Sequence, residues 1–207
     1  MSDSKRHRAA LAGLIGDPGG YLDATEAAVR RTAVAASRNH PELWNEVAGM
    51  LASDSDPSVR RECAEVLGLT KSVDPESLAA ALAGDVAEVR EAVVTALGEI
   101  ASPSSVPQLL RHATDTDEDS LVREAAVAAL GSIADVAAVP ALLELVGSGP
   151  PQIRRRCVAA LSVFDGVEVE NALLAAAEDR NPMVREAAEM VVGRAPNPAS
   201  PSGSGGE

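Results

Sequence analysis

A β-branched residue followed by arginine returns through this chain at a nearly constant interval. The copies are Val29-Arg30, Val59-Arg60, Val89-Arg90, Val122-Arg123, Ile153-Arg154 and Val184-Arg185, spaced by 30, 30, 33, 31 and 31 residues. Such self-similarity constrains a fold more than any local propensity, because each copy must adopt the same unit. With the β-branched residue counted as zero, position four holds Ala33, Cys63, Val93, Ala126, Cys157 and Ala188. Position seven holds Ala36, Val66, Ala96, Ala129, Ala160 and Val191, and position eight is Leu67, Leu97, Leu130 and Leu161, then Val192. Apolar residues at zero, four, seven and eight make one face of a 3.6-residue helix.

A shorter apolar-periodic segment precedes each of these helices, for example Leu43/Val47/Leu51, Val106/Leu109/Leu110 and Val139/Leu142/Val146. Turn signals divide the two halves, and Asp56-Pro57 and Asn181-Pro182 pair a capping residue with proline at the first helical position. The unit is therefore a helix–turn–helix, and the chain should hold roughly twelve helices. One helix pair cannot bury both faces, so the units must stack. The expected architecture is all-α: a right-handed α-solenoid of about six repeats, near residues 4–39, 41–70, 75–101, 104–134, 136–164 and 168–195. Together they form a single domain over 1–195. Position five is Val34, Ala64, Val94, Val127 and Val158 but Glu189 in the last copy, which suits a capping repeat with no successor. Residues 196–207, rich in Pro, Gly and Ser, read as a disordered tail.

Composition narrows the function. Hydrophobic residues are 46% of the 207 but aromatics only 1%, so the core is built from Ala, Val and Leu. The net charge of −13 leaves no global basic surface for phosphates, which argues against a nucleic-acid partner. The basic start Lys5-Arg6-His7-Arg8 is followed by an apolar run too short for a signal peptide, and no run reaches transmembrane length. The expected setting is cytoplasmic, without a membrane partner.

The segment Asp56-Pro57-Ser58-Val59-Arg60-Arg61-Glu62-Cys63-Ala64-Glu65-Val66-Leu67-Gly68 resembles the HEAT repeat family, most closely its short form named after the bilin lyases of phycobiliproteins. The resemblance covers nearly the whole chain and rests on scaffold positions. It implies an Asp–Arg ladder between neighbouring repeats, so Arg30, Arg60, Arg90, Arg123, Arg154 and Arg185 are expected to be structural. An arginine in the first turn of a helix opposes the helix dipole and needs compensation. Asp23, Asp54 or Asp56, Asp85, Asp117 or Asp119, and Asp179 stand in the preceding turns. The fifth repeat lacks such an acid, so Arg154 should use a neighbour's carboxylate or a carbonyl.

Catalytic and metal chemistry finds little footing. Cys63 and Cys157 lie three repeats apart, roughly 24–30 Å at about 8–10 Å per helix layer, far beyond the roughly 7 Å of a disulfide. Asp115-Thr116-Asp117-Glu118-Asp119 opens like a calcium loop, but Ser120 stands where glycine is needed and Ala126 where the bidentate Glu belongs. His7, His40 and His112 are scattered without ligand spacing. No catalytic residue, cofactor site or metal site is expected. The hydroxylase relatives of this repeat imply His-Glu pairs, and the chain has no His-Glu dipeptide.

Candidate partner-binding residues remain. At position two the second helices carry Arg31, Arg61, Glu91, Glu124, Arg155 and Glu186, and Arg156 extends the basic run. These either form a binding face or are ordinary solvated charge. Trp44 is either a core filler or an exposed anchor. The leading expectation is a non-catalytic protein–protein interaction scaffold or adaptor, acting as a monomer or as a subunit of a hetero-complex, that grips a partner protein on its concave face. The alternative is a bilin lyase-like subunit or another enzyme-associated HEAT protein.

Overall fold

The computed structural model describes residues 13, 16–83 and 85–193, and among them the chain is all helical, with eleven α-helices and no strand. The start of the first repeat, expected from near residue 4, falls almost wholly outside the described residues, and the tail at 196–207 entirely so. Helix α1 (Ala27–Ala36) is the second helix of the first repeat. Each later repeat is a pair: α2 (Trp44–Ser53) on α3 (Pro57–Thr70), α4 (Pro75–Ala80) on α5 (Ala87–Ile100), α6 (Val106–Thr114) on α7 (Ser120–Ile133), α8 (Val139–Ser148) on α9 (Pro151–Leu161), and α10 (Val167–Ala176) on α11 (Pro182–Val192).

Four of the eleven α-helices begin on a side-chain cap. Asp56 accepts from the Ser58 N–H, Asp119 from Leu121 and Asn181 from Met183, each satisfying a donor that a helix start leaves unpaired. Three second helices end on a left-handed residue that is not glycine: Lys71, Ala101 and Ala134, with φ of 52°, 58° and 56°. Their N–H groups close the last turn onto the carbonyls of Gly68, Leu97 and Leu130.

The repeated apolar face is the core. Val59, Val89, Val122 and Val184 are fully buried, and Ile153 is 1% exposed. Position four is fully buried in all six copies, from Ala33 to Ala188, and position eight is fully buried from Leu67 to Leu161. Removing each large aliphatic side chain from water stabilises the fold by about 1.5–3 kcal/mol, so the layers hold together through many equivalent contacts.

Glycine at position nine lets second helices come close at three successive interfaces. A Cβ on Gly68 would lie 2.6 Å from the Ala96 Cβ, and one on Gly98 or Gly131 would lie 2.8 Å from the Cα of Ala129 or Ala160. The second helices thus approach backbone to backbone, whereas neighbouring first helices touch much less. The more closely spaced layer lies inside the bend, so α3, α5, α7, α9 and α11 line the concave side.

Candidate functional site

The turns joining the two layers carry a chain of guanidinium–carboxylate pairs. Arg30 donates from Nε and Nη2 to the two oxygens of Asp54, both at 2.8 Å. Arg60 forks onto Asp85 at 2.7 and 2.6 Å, Arg90 onto Glu118 at 3.2 and 2.6 Å, and Arg154 onto Asp179 at 2.7 Å for both bonds. In each case Nη1 donates to a carbonyl of the arginine's own turn: Ala24, Asp54, Asp85 and Gly149. One arginine therefore clamps its own turn and the next repeat's turn together.

This geometry corrects the sequence expectation in two respects. The compensating acid comes from the following repeat, so Asp23 plays no part for Arg30, and Glu118, flanked by Asp117 and Asp119, serves Arg90. Arg154 does find a neighbour's carboxylate and a carbonyl, as expected, and the missing acid of repeat five falls instead on Arg123. Arg123 has no carboxylate partner among the described residues, and its Nε–H reaches only the Ala113 carbonyl at 3.3 Å. Among the described residues Arg185 likewise meets carbonyls alone, those of Asp179 and Arg180.

The pairing shows in the acids. The hydrogen bond from Arg30 holds the Asp54 carboxyl below its ordinary range, as Arg60 does for Asp85 and Arg154 for Asp179. Burial opposes ionisation of Glu118, but the Arg90 guanidinium, the Asp119 N–H and His112 outweigh it and bring it down to about 2. Burial pushes the thiols of Cys63 and Cys157 up to about 12, which leaves them unreactive.

The concave side gathers several of the candidate residues. Arg155, Arg156 and Glu186 line a shallow open groove between α9 and α11, together with Ala159, Met183, Ala187 and Met190. Arg61 and Glu91 line a second groove between α3 and α5, with Glu65, Leu69, Thr95 and Glu99. Arg61 is tied to Glu65 at 2.9 Å along its own helix, and Arg156 reaches back to Glu124 at 3.6 Å. Arg31 is exposed near the start of the face. Trp44 is neither core nor free anchor. It is half-buried at the start of α2, on the other layer, and its indole N–H donates to the Ser37 carbonyl at 3.1 Å.

Two groove residues escaped the sequence reading. Met183 is 57% exposed and Met190 is 77% exposed, both flanking Arg155 and Glu186. A signal existed for Met190, which stands at position six where the other copies carry Ala35, Glu65, Thr95, Ala128 and Ala159.

These features define an all-helical solenoid of stacked helix pairs. Residues 75–162 match the family model for HEAT repeats. The crystal structure of YibA from Escherichia coli is similar in fold, at 18% identity and a TM-score of 0.62, over 93% of this chain and 75% of that one. An engineered protein is similar at 18% identity and a TM-score of 0.57, over 86% of this chain and 94% of that one. Likeness at this level of identity establishes the fold alone. No protein of curated function matches the sequence.

Proposed function

We propose that this chain is a non-catalytic scaffold or adaptor that grips a partner protein on its concave face. One observation carries the reading: two large, flexible thioether side chains, Met183 and Met190, lie exposed in a groove beside Arg155 and Arg156. Exposed apolar side chains rimmed by charge are what protein interfaces use, and methionine adapts to varied partner shapes. The partner would offer an apolar side chain to the methionines and an acidic one to Arg155. Basic groups would face Glu65, Glu91 and Glu99 further along the same face.

Other properties support the same setting. The net charge of −13 disfavours a nucleic-acid partner. No helix among the described residues is long and apolar enough to cross a membrane. Cys63 and Cys157 are buried free thiols, as suits a reducing cytoplasm.

Co-purification tests the proposal with the full chain and with a triple variant, Arg155→Glu/Met183→Ser/Met190→Ser. Arg154 is left alone because it belongs to the ladder. The intact chain should recover a stoichiometric partner, and the variant should lose at least nine-tenths of it while its thermal midpoint stays within about 2 °C. Equal recovery by both, or no partner for either, would remove the proposal's support.

A further inference from the structure

We propose that Arg123 is an oxyanion site, where a carboxylate from outside the chain completes the ladder. The inference stands apart from the concave face, because it lies in the turns. Four rungs show what this position is built to hold: a guanidinium whose Nε and Nη2 fork onto two carboxylate oxygens at 2.6–3.2 Å. Arg123 occupies the same first-turn position of α7 and is only 8% exposed, yet no carboxylate of the described residues lies within 4 Å of it.

The reason is the turn Gly147-Ser148-Gly149-Pro150. The carbonyl of Gly149 takes Nη1 of Arg154, as the carbonyls of Asp54, Asp85 and Asp179 take Nη1 of Arg60, Arg90 and Arg185. Gly149 therefore stands in the place of the acid, and it has no side chain to reach back to Arg123.

Two consequences follow for the guanidinium. Among the described residues neither Nη of Arg123 has a hydrogen-bond partner, and neither is among the buried side-chain atoms that lack one, which are Ser105 Oγ, Gln108 Oε1 and Arg156 Nε. Both thus remain reachable by a slender group. A buried guanidinium without a counter-charge is costly, and with Nε on the Ala113 carbonyl the edge formed by its two Nη groups matches the two oxygens of a carboxylate, or of a phosphate. The ligand class is accordingly a carboxylate, presented by a free acid or by an acidic side chain of another protein.

The test is thermal unfolding of the full chain at neutral pH and fixed ionic strength, with chloride replaced stepwise by acetate or phosphate. A capped Gly-Asp-Gly peptide forms a third arm. Acetate at ten times its dissociation constant should raise the midpoint by about 3–6 °C over chloride. General salting effects act on the whole surface and persist in any variant, so Arg123→Leu, which removes the charge, should lose the acetate-specific part. Arg123→Lys keeps a cation without the fork and should retain less than half of it. A tighter response to the peptide than to acetate assigns the carboxylate to a partner's side chain, and the reverse assigns it to a free acid. An intact chain indifferent to acetate, or equal shifts in the intact chain and a folded variant, would overturn the site.

Discussion

Asp179 binds three parts of the chain at once. Its carboxylate takes the fork of Arg154 and the Asn181 N–H, and its carbonyl takes Nη1 of Arg185. The Arg154 side chain is 3% exposed, so removing its counter-charge strands a buried cation. Asp179→Ala should cost about 3–5 kcal/mol in denaturant unfolding, whereas Asp117→Ala, at an exposed turn position, should stay within about 0.5 kcal/mol. The pH dependence follows from the same pairs. Asp54, Asp85, Glu118 and Asp179 all have folded-state pKa values below their ordinary ones, so their contribution is fully present above the ordinary carboxylate range. It is lost as pH falls through the folded values, down to about 2 for Glu118. A series of unfolding midpoints should therefore fall steadily with acidification below about pH 4.5, and a flat profile there would show the ladder to be inert.

At the scale of the helix, backbone approach and termination decide the outcome. Gly98→Val places a branched side chain where even a Cβ would meet the Ala129 Cα at 2.8 Å. It should destabilise by about 1–3 kcal/mol through forced separation of α5 and α7. Ala101 and Ala134 hold left-handed backbone that glycine adopts without strain. Ala101→Gly and Ala134→Gly should each stabilise by about 0.5–1 kcal/mol, read as a raised unfolding midpoint. The helices themselves were legible in the sequence because burial at positions zero, four and eight is a one-dimensional pattern: Val59, Cys63 and Leu67 report one face wherever the helix sits. Which acid meets which arginine was not legible. Asp54 lies six residues before Arg60 in sequence, yet its carboxylate faces Arg30 across the repeat boundary. Only the stacking of layers determines that direction. Trp44 escaped for a related reason: its partner is a backbone carbonyl at the end of the preceding repeat, Ser37, which no side-chain pattern encodes.

Over the whole molecule, a close-packed inner layer and a looser outer one bend the stack, leaving its second helices on the concave side. The surface chemistry there is uneven: a charged groove at Arg61, Glu65, Glu91 and Glu99, then a groove of mixed character at Arg155, Met183 and Met190. The charges of that face were readable from position two of the repeat, whereas the exposed methionines were not, because their exposure depends on what neighbours α11. Amide hydrogen exchange of the full chain, alone and saturated with its captured partner, tests the concave-face account most directly. Binding should slow exchange in the second helices, above all α9 and α11, and leave α2, α4, α6, α8 and α10 unchanged. Protection confined to those first helices would contradict it.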